Sequence, residues 1–278
     1  MPTLSRIAVH PIKSLDPADR DRVGITDVGG LAGDRVYAVV DGSGNYVNGK
    51  RTAKVHRIRA DADLDGNRVT LRWEGDGTGA SSTGGPREFR LDSDRTELEA
   101  WLSEHLGIDV ELVAGQGGAL TDRAVYGDGS KTGPTVIAEA TLREAASWYD
   151  GIGPREMAFR LRPNLVVEGV PPFWEERLFA GGGRRLRVGD VTMEGVEVVP
   201  RCVVPTRDPH TGEEYEGFRE TFVRKREETL AEWTDPADLD GNFFSLMAAA
   251  RIPEDQRDGT LEVGDEVGIA DAEAPAGE

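Results

Sequence analysis

Cys202 is the only cysteine in 278 residues, and it lies in the run Val198-Val199-Pro200-Arg201-Cys202-Val203-Val204-Pro205-Thr206-Arg207-Asp208-Pro209-His210-Thr211-Gly212. One thiol cannot close an intrachain disulfide or hold a multi-cysteine cluster. Three chemistries remain open to it: a lone nucleophile, a redox thiol, or a single ligand to a metal held mainly by something else. A small buried hydrophobe is the inert alternative. The neighbours favour chemistry, because Arg201 can stabilise a thiolate and Asp208-Pro209-His210-Thr211-Gly212 reads as a structured polar turn. Three more polar clusters stand at expected strand ends: Pro11-Ile12-Lys13-Ser14, Gly33-Asp34-Arg35 and Arg160-Leu161-Arg162-Pro163-Asn164. Taken singly, Lys13 and Arg35 are solvated charges, Asn164 a turn residue and Arg162 an ion-pair partner. Together, arginine and lysine beside serine and asparagine are the groups that hold an anionic polar cofactor through charge-assisted, bidentate hydrogen bonds. A thiolate close by would complete a metal's coordination.

Other familiar chemistries lack their residues. The sequence has no phosphate-binding Gly-x-x-x-x-Gly-Lys-Ser/Thr loop, no Cys-x-x-Cys and no Gly-x-Ser-x-Gly. Gly29-Gly30 and Gly181-Gly182-Gly183 lack a strand-to-helix setting and read as turns. His10, His56, His105 and His210 are scattered without the spacing of a protein-only zinc site, and His105 reads as an end-of-helix residue beside Gly107. The 51 acidic and 33 basic residues give a net charge of -18, and only five of the basic residues are lysine. A dense acidic surface poor in lysine suits a protein hydrated in concentrated salt, so a halophilic source is expected. The same field argues against nucleic-acid binding, which needs a basic face. It leaves room for a local arginine-lined pocket. No apolar run approaches the roughly 18 residues of a membrane span, and no basic-then-apolar leader opens the chain, so a cytoplasmic location without a membrane span is expected.

The clusters need a scaffold, and the hydrophobic pattern supplies mainly strands. Strands are expected over 4–14, 36–41, 108–113, 135–138, 164–168, 185–188, 191–200 and 261–269, with a hairpin of 55–64 and 68–73 across Asp65-Gly66-Asn67. Asp94 with Glu97 predicts a capped helix carrying Leu98, Trp101 and Leu102 and stopped by Gly107; Thr141 with Glu144 predicts a second helix to Tyr149 with its exit at Gly151. A third helix is expected over 218–230, an exposed loop over 75–86 and a unit boundary within 114–119. Short strands with few helices make a β-rich α+β chain, barrel-like in architecture.

The order of the motifs resembles a known family. Through about Gly268 the chain is similar to MOSC-domain proteins that carry a preceding MOSC N-terminal β-barrel domain, such as the mitochondrial amidoxime reducing component and its bacterial relatives. The resemblance rests on His10-Pro11-Ile12-Lys13-Ser14, Gly30-Leu31-Ala32-Gly33-Asp34-Arg35, Arg162-Pro163-Asn164-Leu165-Val166-Val167, Arg201-Cys202 with Asp208-Pro209-His210-Thr211-Gly212, and Val263-Gly264-Asp265-Glu266-Val267. It implies an N-terminal barrel-like domain over 1–115 and a MOSC β-barrel domain with a few peripheral helices over 120–270; the sequence beyond, 271–278, reads as a flexible tail. It also implies a molybdenum cofactor, a molybdenum-bearing molybdopterin, with Cys202 as the metal ligand and Lys13, Ser14, Arg35, Arg162, Asn164 and Arg201 as cofactor-binding residues. Asp208 matches an acid proposed to handle protons. Residues 126–140 resemble a further family segment, although Lys131-Thr132-Gly133 stands as an insertion and Ala138 replaces a serine. Pro200 and Pro205 replace residues usual in the amidoxime reducers. The implied activity is two-electron removal of oxygen from a small N-oxygenated substrate. A separate ferredoxin or flavin reductase would supply electrons, since the sequence holds no second cysteine for an iron–sulfur module. A molybdenum-cofactor carrier or sulfur-transfer module without reductase activity is the alternative.

Overall fold

The computed structural model describes residues 1–75, 85–115, 133–180 and 184–271. In chain order its strands and helices are β1 Thr3–Val9, β2 Ala18–Arg20, β3 Arg22–Gly24, β4 Tyr37–Asp41, β5 Ile58–Asp63, β6 Arg68–Trp73, β7 Arg87–Arg90, α1 Arg95–Leu106, β8 Val110–Ala114, β9 Thr135–Ala138, α2 Glu139–Ser147, α3 Pro154–Leu161, β10 Leu165–Glu168, β11 Arg184–Val188, β12 Val191–Pro200, α4 Phe218–Glu228, β13 Ser245–Arg251, β14 Thr260–Glu262 and β15 Val267–Asp271. The expected β-rich α+β class is present. The largest sheet runs β15-β11-β12-β13-β9-β10-β1-β2, beside the pairs β14-β3 and β4-β8 and the triplet β5-β6-β7. β1 also meets the segment that leads into β15, through an antiparallel bridge of Thr3 with Glu266 and a bond from the Val267 N–H to the Pro2 carbonyl at 2.9 Å.

Short apolar runs build the centre of this sheet. In β10, Leu165 and Val167 enter one core while Val166 enters another, and in β9 Val136 and Ala138 part from Ile137 in the same way. Alternate side chains of a strand point to opposite faces, so both faces are buried and the strands read as continuous hydrophobic runs. One face packs on Trp174 and Leu178 and the other on α2, α3 and α4 through Leu142, Met157 and Phe222. A third core gathers β4, β6 and β7 with α1, which buries Leu98, Trp101, Leu102 and Leu106 at helical spacing. Ile12 and Leu15 also belong to this third core. Their burial fixes the loop that carries Lys13 and Ser14 between them.

Several local expectations are corrected. The first strand stops at Val9, five residues short, because the chain then turns to pair Ile12 with Tyr37 in a parallel bridge. Residues 53–57 form a 3₁₀ turn, so the hairpin's first strand begins at Ile58. The expected closing strand splits into β14, which pairs with β3, and β15, which pairs with β11. Asp94 stands at the N-cap of α1 but accepts from the Arg90 N–H at 2.9 Å and from Ser93 Oγ at 2.8 Å, so the capping box does not form. Thr141 lies inside the first turn of α2, which starts at Glu139, and its hydroxyl bonds Glu175 and the Phe173 N–H instead. Helix α3 and strands β2, β3, β7 and β13 had no expectation attached to them. His105 does end a helix, with Nδ1 at 2.8 Å from the Trp101 carbonyl and its ring stacked on Trp101. Most of the expected 75–86 loop, residues 116–119 of the expected boundary, residues 126–132 of the 126–140 segment, Gly181 to Gly183 and residues 272–278 of the tail lie outside the described residues, while Asp271 ends β15.

Candidate functional site

The polar clusters sit just beyond the ends of β1, α3 and β12 and just before β4, and backbone hydrogen bonds tie these ends together. Arg35 N–H donates to the His10 carbonyl at 2.8 Å, Lys13 N–H to Tyr37 at 2.8 Å, and Arg201 N–H to Phe244 at 2.8 Å. Ser14, Arg35 and Arg162 all hold left-handed backbone, at φ of 75°, 51° and 59°. Residues with a Cβ seldom adopt that region outside sites where the surrounding structure forces it.

Lys13, Ser14, Arg35, Arg162, Arg201 and Cys202 line one cavity of about 400 Å³. Eight basic side chains and only two acidic ones, Asp16 and Glu197, border it, inside a chain of net charge -18. Cys202 is half-buried, in the irregular segment that follows β12. The cations are held in place rather than splayed into solvent. Arg162 donates to the Leu15 carbonyl at 2.7 Å, Arg201 to Leu161 at 2.9 Å, and Arg160 to Pro205 at 3.0 Å and Arg207 at 2.7 Å. Lys13 Nζ lies 3.6 Å from the centre of the Tyr46 ring. Burial pushes the Arg162 guanidinium down to about 10, and the like charges of Arg35 and Arg201 add to the shift against Asp16 and Asp34. An anion in the cavity would relieve that repulsion.

Behind the wall, a buried polar layer sets Arg35. Arg35 is ion-paired with Asp34, and its guanidinium also reaches Asn164 Oδ1 at 3.4 Å. Burial would raise the Asp34 carboxyl, but Arg35 and the contacts from His10 outweigh it and hold it below the usual carboxylate range. His10 is fully enclosed and pushed down to about 3, first by burial and then by Arg162, so it is neutral. Asn164 belongs to this layer and not to the cavity wall. Its Oδ1 accepts from Thr135 N–H and Oγ1, both at 3.2 Å, and its Nδ2 donates to the Ala8 carbonyl at 2.9 Å. Asp208 is not on the wall either. Its Oδ1 accepts the N–H groups of His210 at 2.8 Å and Thr211 at 2.7 Å; burial pulls its pKa upward, but these backbone bonds prevail and lower it. It shapes the turn that the sequence predicted.

The remaining wall had no sequence signal beyond residue type. Asp16, Asn48, Lys50, His56, Arg59 and Arg207 come mostly from the segment after β4 and from the start of β5. Arg59 joins that segment to the turn after Cys202, donating to the Pro209 carbonyl at 3.0 Å and standing 2.9 Å from His210 Nδ1. The two segments approach closely where Gly212 adopts φ of +74°, and a Cβ there would lie 2.5 Å from the Ala53 carbonyl oxygen. His56 is pushed down to about 4, by burial first and then by the nearby cations Arg207, Arg162 and Arg59. Cys202 and Arg201 also border a second cavity of about 370 Å³, walled by Tyr215, Phe218 and Phe244.

The arrangement therefore offers one soft sulfur donor, a ring of fixed cations and a buried layer that orients them. Among the described residues no group of three or more His, Cys, Asp or Glu side chains is placed to hold a metal, and no helix is long and apolar enough to cross a membrane. Residues 1–110 match the model of the MOSC N-terminal beta barrel domain, and residues 135–268 that of the MOSC domain. A stretch of 67 residues is 37% identical to the molybdenum cofactor sulfurase of Caenorhabditis elegans, covering 24% of this chain and only 9% of that protein. The chain belongs to the MOSC proteins, with a MOSC N-terminal domain ahead of a MOSC domain.

Proposed function

We propose that this chain is a molybdenum-cofactor-dependent oxidoreductase that removes oxygen from small N-hydroxylated compounds. One observation carries the reading: Lys13, Ser14, Arg35, Arg162 and Arg201, far apart in sequence, converge with the single cysteine on one basic cavity of an acidic chain. MOSC domains are associated with the molybdenum cofactor, and the residues present suit such a group. The pterin phosphate and dithiolene are anionic, matching the fixed cations, and a thiolate is the soft ligand that molybdenum takes. Arg207 Nε, buried beside the cavity without a hydrogen-bond partner among the described residues, is a donor that a bound polar group would satisfy.

In this reading Cys202 binds the metal, while Lys13, Ser14, Arg35, Arg162 and Arg201 hold the pterin and its phosphate. Asn164 supports the site from behind by fixing Arg35. When bound, the cofactor supplies two-electron oxygen-atom chemistry. The protein keeps the cations aimed inward, so little reorganisation accompanies binding. Electrons come from a separate ferredoxin or flavin reductase, and the protein works in the cytoplasm of a salt-adapted cell. A second reading, a cofactor carrier or sulfur-transfer module, draws support from the sulfurase relative and from the second cavity bordering Cys202. Molybdenum and pterin content of protein produced in a cofactor-competent host tests both. Bound cofactor with turnover of benzamidoxime supports the reductase, and bound cofactor or a persulfide without turnover supports the carrier.

A further inference from the structure

Reductive cleavage of an N–OH bond takes two electrons and two protons. The N–O bond breaks, the oxygen leaves as water and an N–H bond forms, with the electrons delivered by the ferredoxin or flavin reductase donor. The departing oxygen therefore needs a proton source in the cavity. Asp208 does not face the cavity, and both N–H groups of its turn converge on one of its carboxylate oxygens. Among the described residues, the carboxyl groups on the wall are those of Asp16 and Glu197. We propose, resting on the reductase reading, that Asp16 is the catalytic acid that protonates the oxygen leaving as water, the second proton reaching nitrogen from solvent.

Placement and surroundings favour Asp16. It follows Lys13 and Ser14 after one buried residue, Leu15, so the loop that presents the cofactor-facing groups also presents this carboxyl. Its Oδ2 accepts the Ala60 N–H at 3.1 Å, and its Oδ1 is ion-paired with the Arg59 guanidinium at 3.4 Å. The groups facing it are Arg59 and the Ala60 N–H from β5, Arg162 from the end of α3 and His210 from the turn after Cys202. All four favour the ionised form, yet burial outweighs them and raises its proton affinity above that of an ordinary aspartate. Glu197 comes from β12 and not from the loop that carries Lys13 and Ser14. A carboxyl with raised proton affinity is better suited to general-acid catalysis than an ordinary aspartate. His210, half-exposed, stands 2.9 Å from the same Arg59 guanidinium.

Two measurements test the role. In the molybdenum-loaded protein reducing benzamidoxime with an artificial donor, Asp16→Asn should lower kcat about 100-fold with KM little changed. The wild-type rate should fall as pH rises through the Asp16 pKa, the variant should lose that limb of the profile, and Asp16→Glu should restore it. In cofactor-free protein, the infrared difference between wild type and Asp16→Asn should contain one protonated-carboxyl band that disappears at a pH above the ordinary aspartate range. A variant with wild-type rate and profile, or a difference spectrum without that band, overturns the proposal. The infrared result needs no cofactor, so it is separate from failure of the cofactor reading, which shows as absent molybdenum.

Discussion

Ser14, Arg35 and Arg162, three residues of the proposed site, hold left-handed backbone; the Arg35 N–H bonds the His10 carbonyl and the Arg162 guanidinium the Leu15 carbonyl. Such positions cost on the order of 1–3 kcal/mol each and persist where the surroundings over-determine them. Like-charge crowding adds to this, since burial and the neighbouring Arg35 and Arg201 together press Arg162 down to about 10. Filling the cavity with an anion should therefore stabilise the fold. Inorganic phosphate is expected to raise the melting temperature of the wild type and to raise that of Arg162→Gln distinctly less; equal shifts would contradict the assignment of Arg162 to the anion site. At this scale the sequence was legible in part. The residue types of Lys13, Arg35, Arg162 and Cys202 carried their chemistry, and the order of motifs joined them. Asn164 and Asp208 carried the same polar signal, but a sequence does not tell whether a polar group faces a cavity or satisfies the backbone behind it. Asp16, His56 and Arg59 had no motif to mark them, because only the fold brings the segment after β4 against the turn after Cys202.

Helix α4 and the 3₁₀ turn at Trp174–Leu178 are joined to α2 and β9 through buried charge. Arg226 pairs with Glu176, both fully enclosed, while Thr234 Oγ1 donates to Glu176 at 2.7 Å. Glu175 accepts from the Ala138 N–H at 3.2 Å and from Thr141 at 3.0 Å. One guanidinium cannot balance two enclosed carboxylates. Burial, and then repulsion by Glu176, push Glu175 from 4.5 up to about 8, so it stays protonated in the fold at neutral pH. The sign of the effect follows from proton counts. Between 4.5 and about 8 the folded chain keeps a proton that the unfolded chain has lost, so this group makes stability fall as pH rises through that window. Glu175→Gln should remove that loss, flattening the descent by about 1.4 kcal/mol per pH unit. Chemical denaturation at a series of pH values measures it, and identical slopes for both proteins would contradict the protonated state. None of this network was legible beforehand. Thr141 with Glu144 has the pattern of a helix cap, and tertiary contacts from Glu175 and Phe173 claimed the hydroxyl instead. The strands were easier to see. β9 and β10 are short apolar runs of four residues, whereas β2 and β3 have three residues each and depend on their partners.

Over the whole molecule, a net charge of -18 surrounds a cavity bordered by eight cations. The exterior charges repel one another, and salt screens that repulsion over roughly 3 Å at 1 M against 10 Å at 0.1 M. Stability is expected to rise with potassium chloride across that range; a melting temperature that stays level or falls would remove the case for salt adaptation. The cavity has the opposite sign, so it attracts a strongly anionic group at close range while the exterior disfavours nucleic acid. Fold class and the order of the two family domains were legible because hydrophobic alternation and motif order extend along the chain. The eight-stranded sheet was not, since it joins β1 to a strand more than a hundred residues away. The proposed site holds a molybdenum cofactor through Cys202 and the converging cations. This is tested most directly by metal and pterin analysis of wild type and Cys202→Ala, both produced in a cofactor-competent host at high salt. Wild type should carry molybdenum and pterin in about equal amounts, and the variant should lose metal or show an altered metal-sulfur spectrum while remaining folded. A wild-type protein without molybdenum would contradict the cofactor assignment, and a variant with full metal and an unchanged spectrum would contradict the ligand.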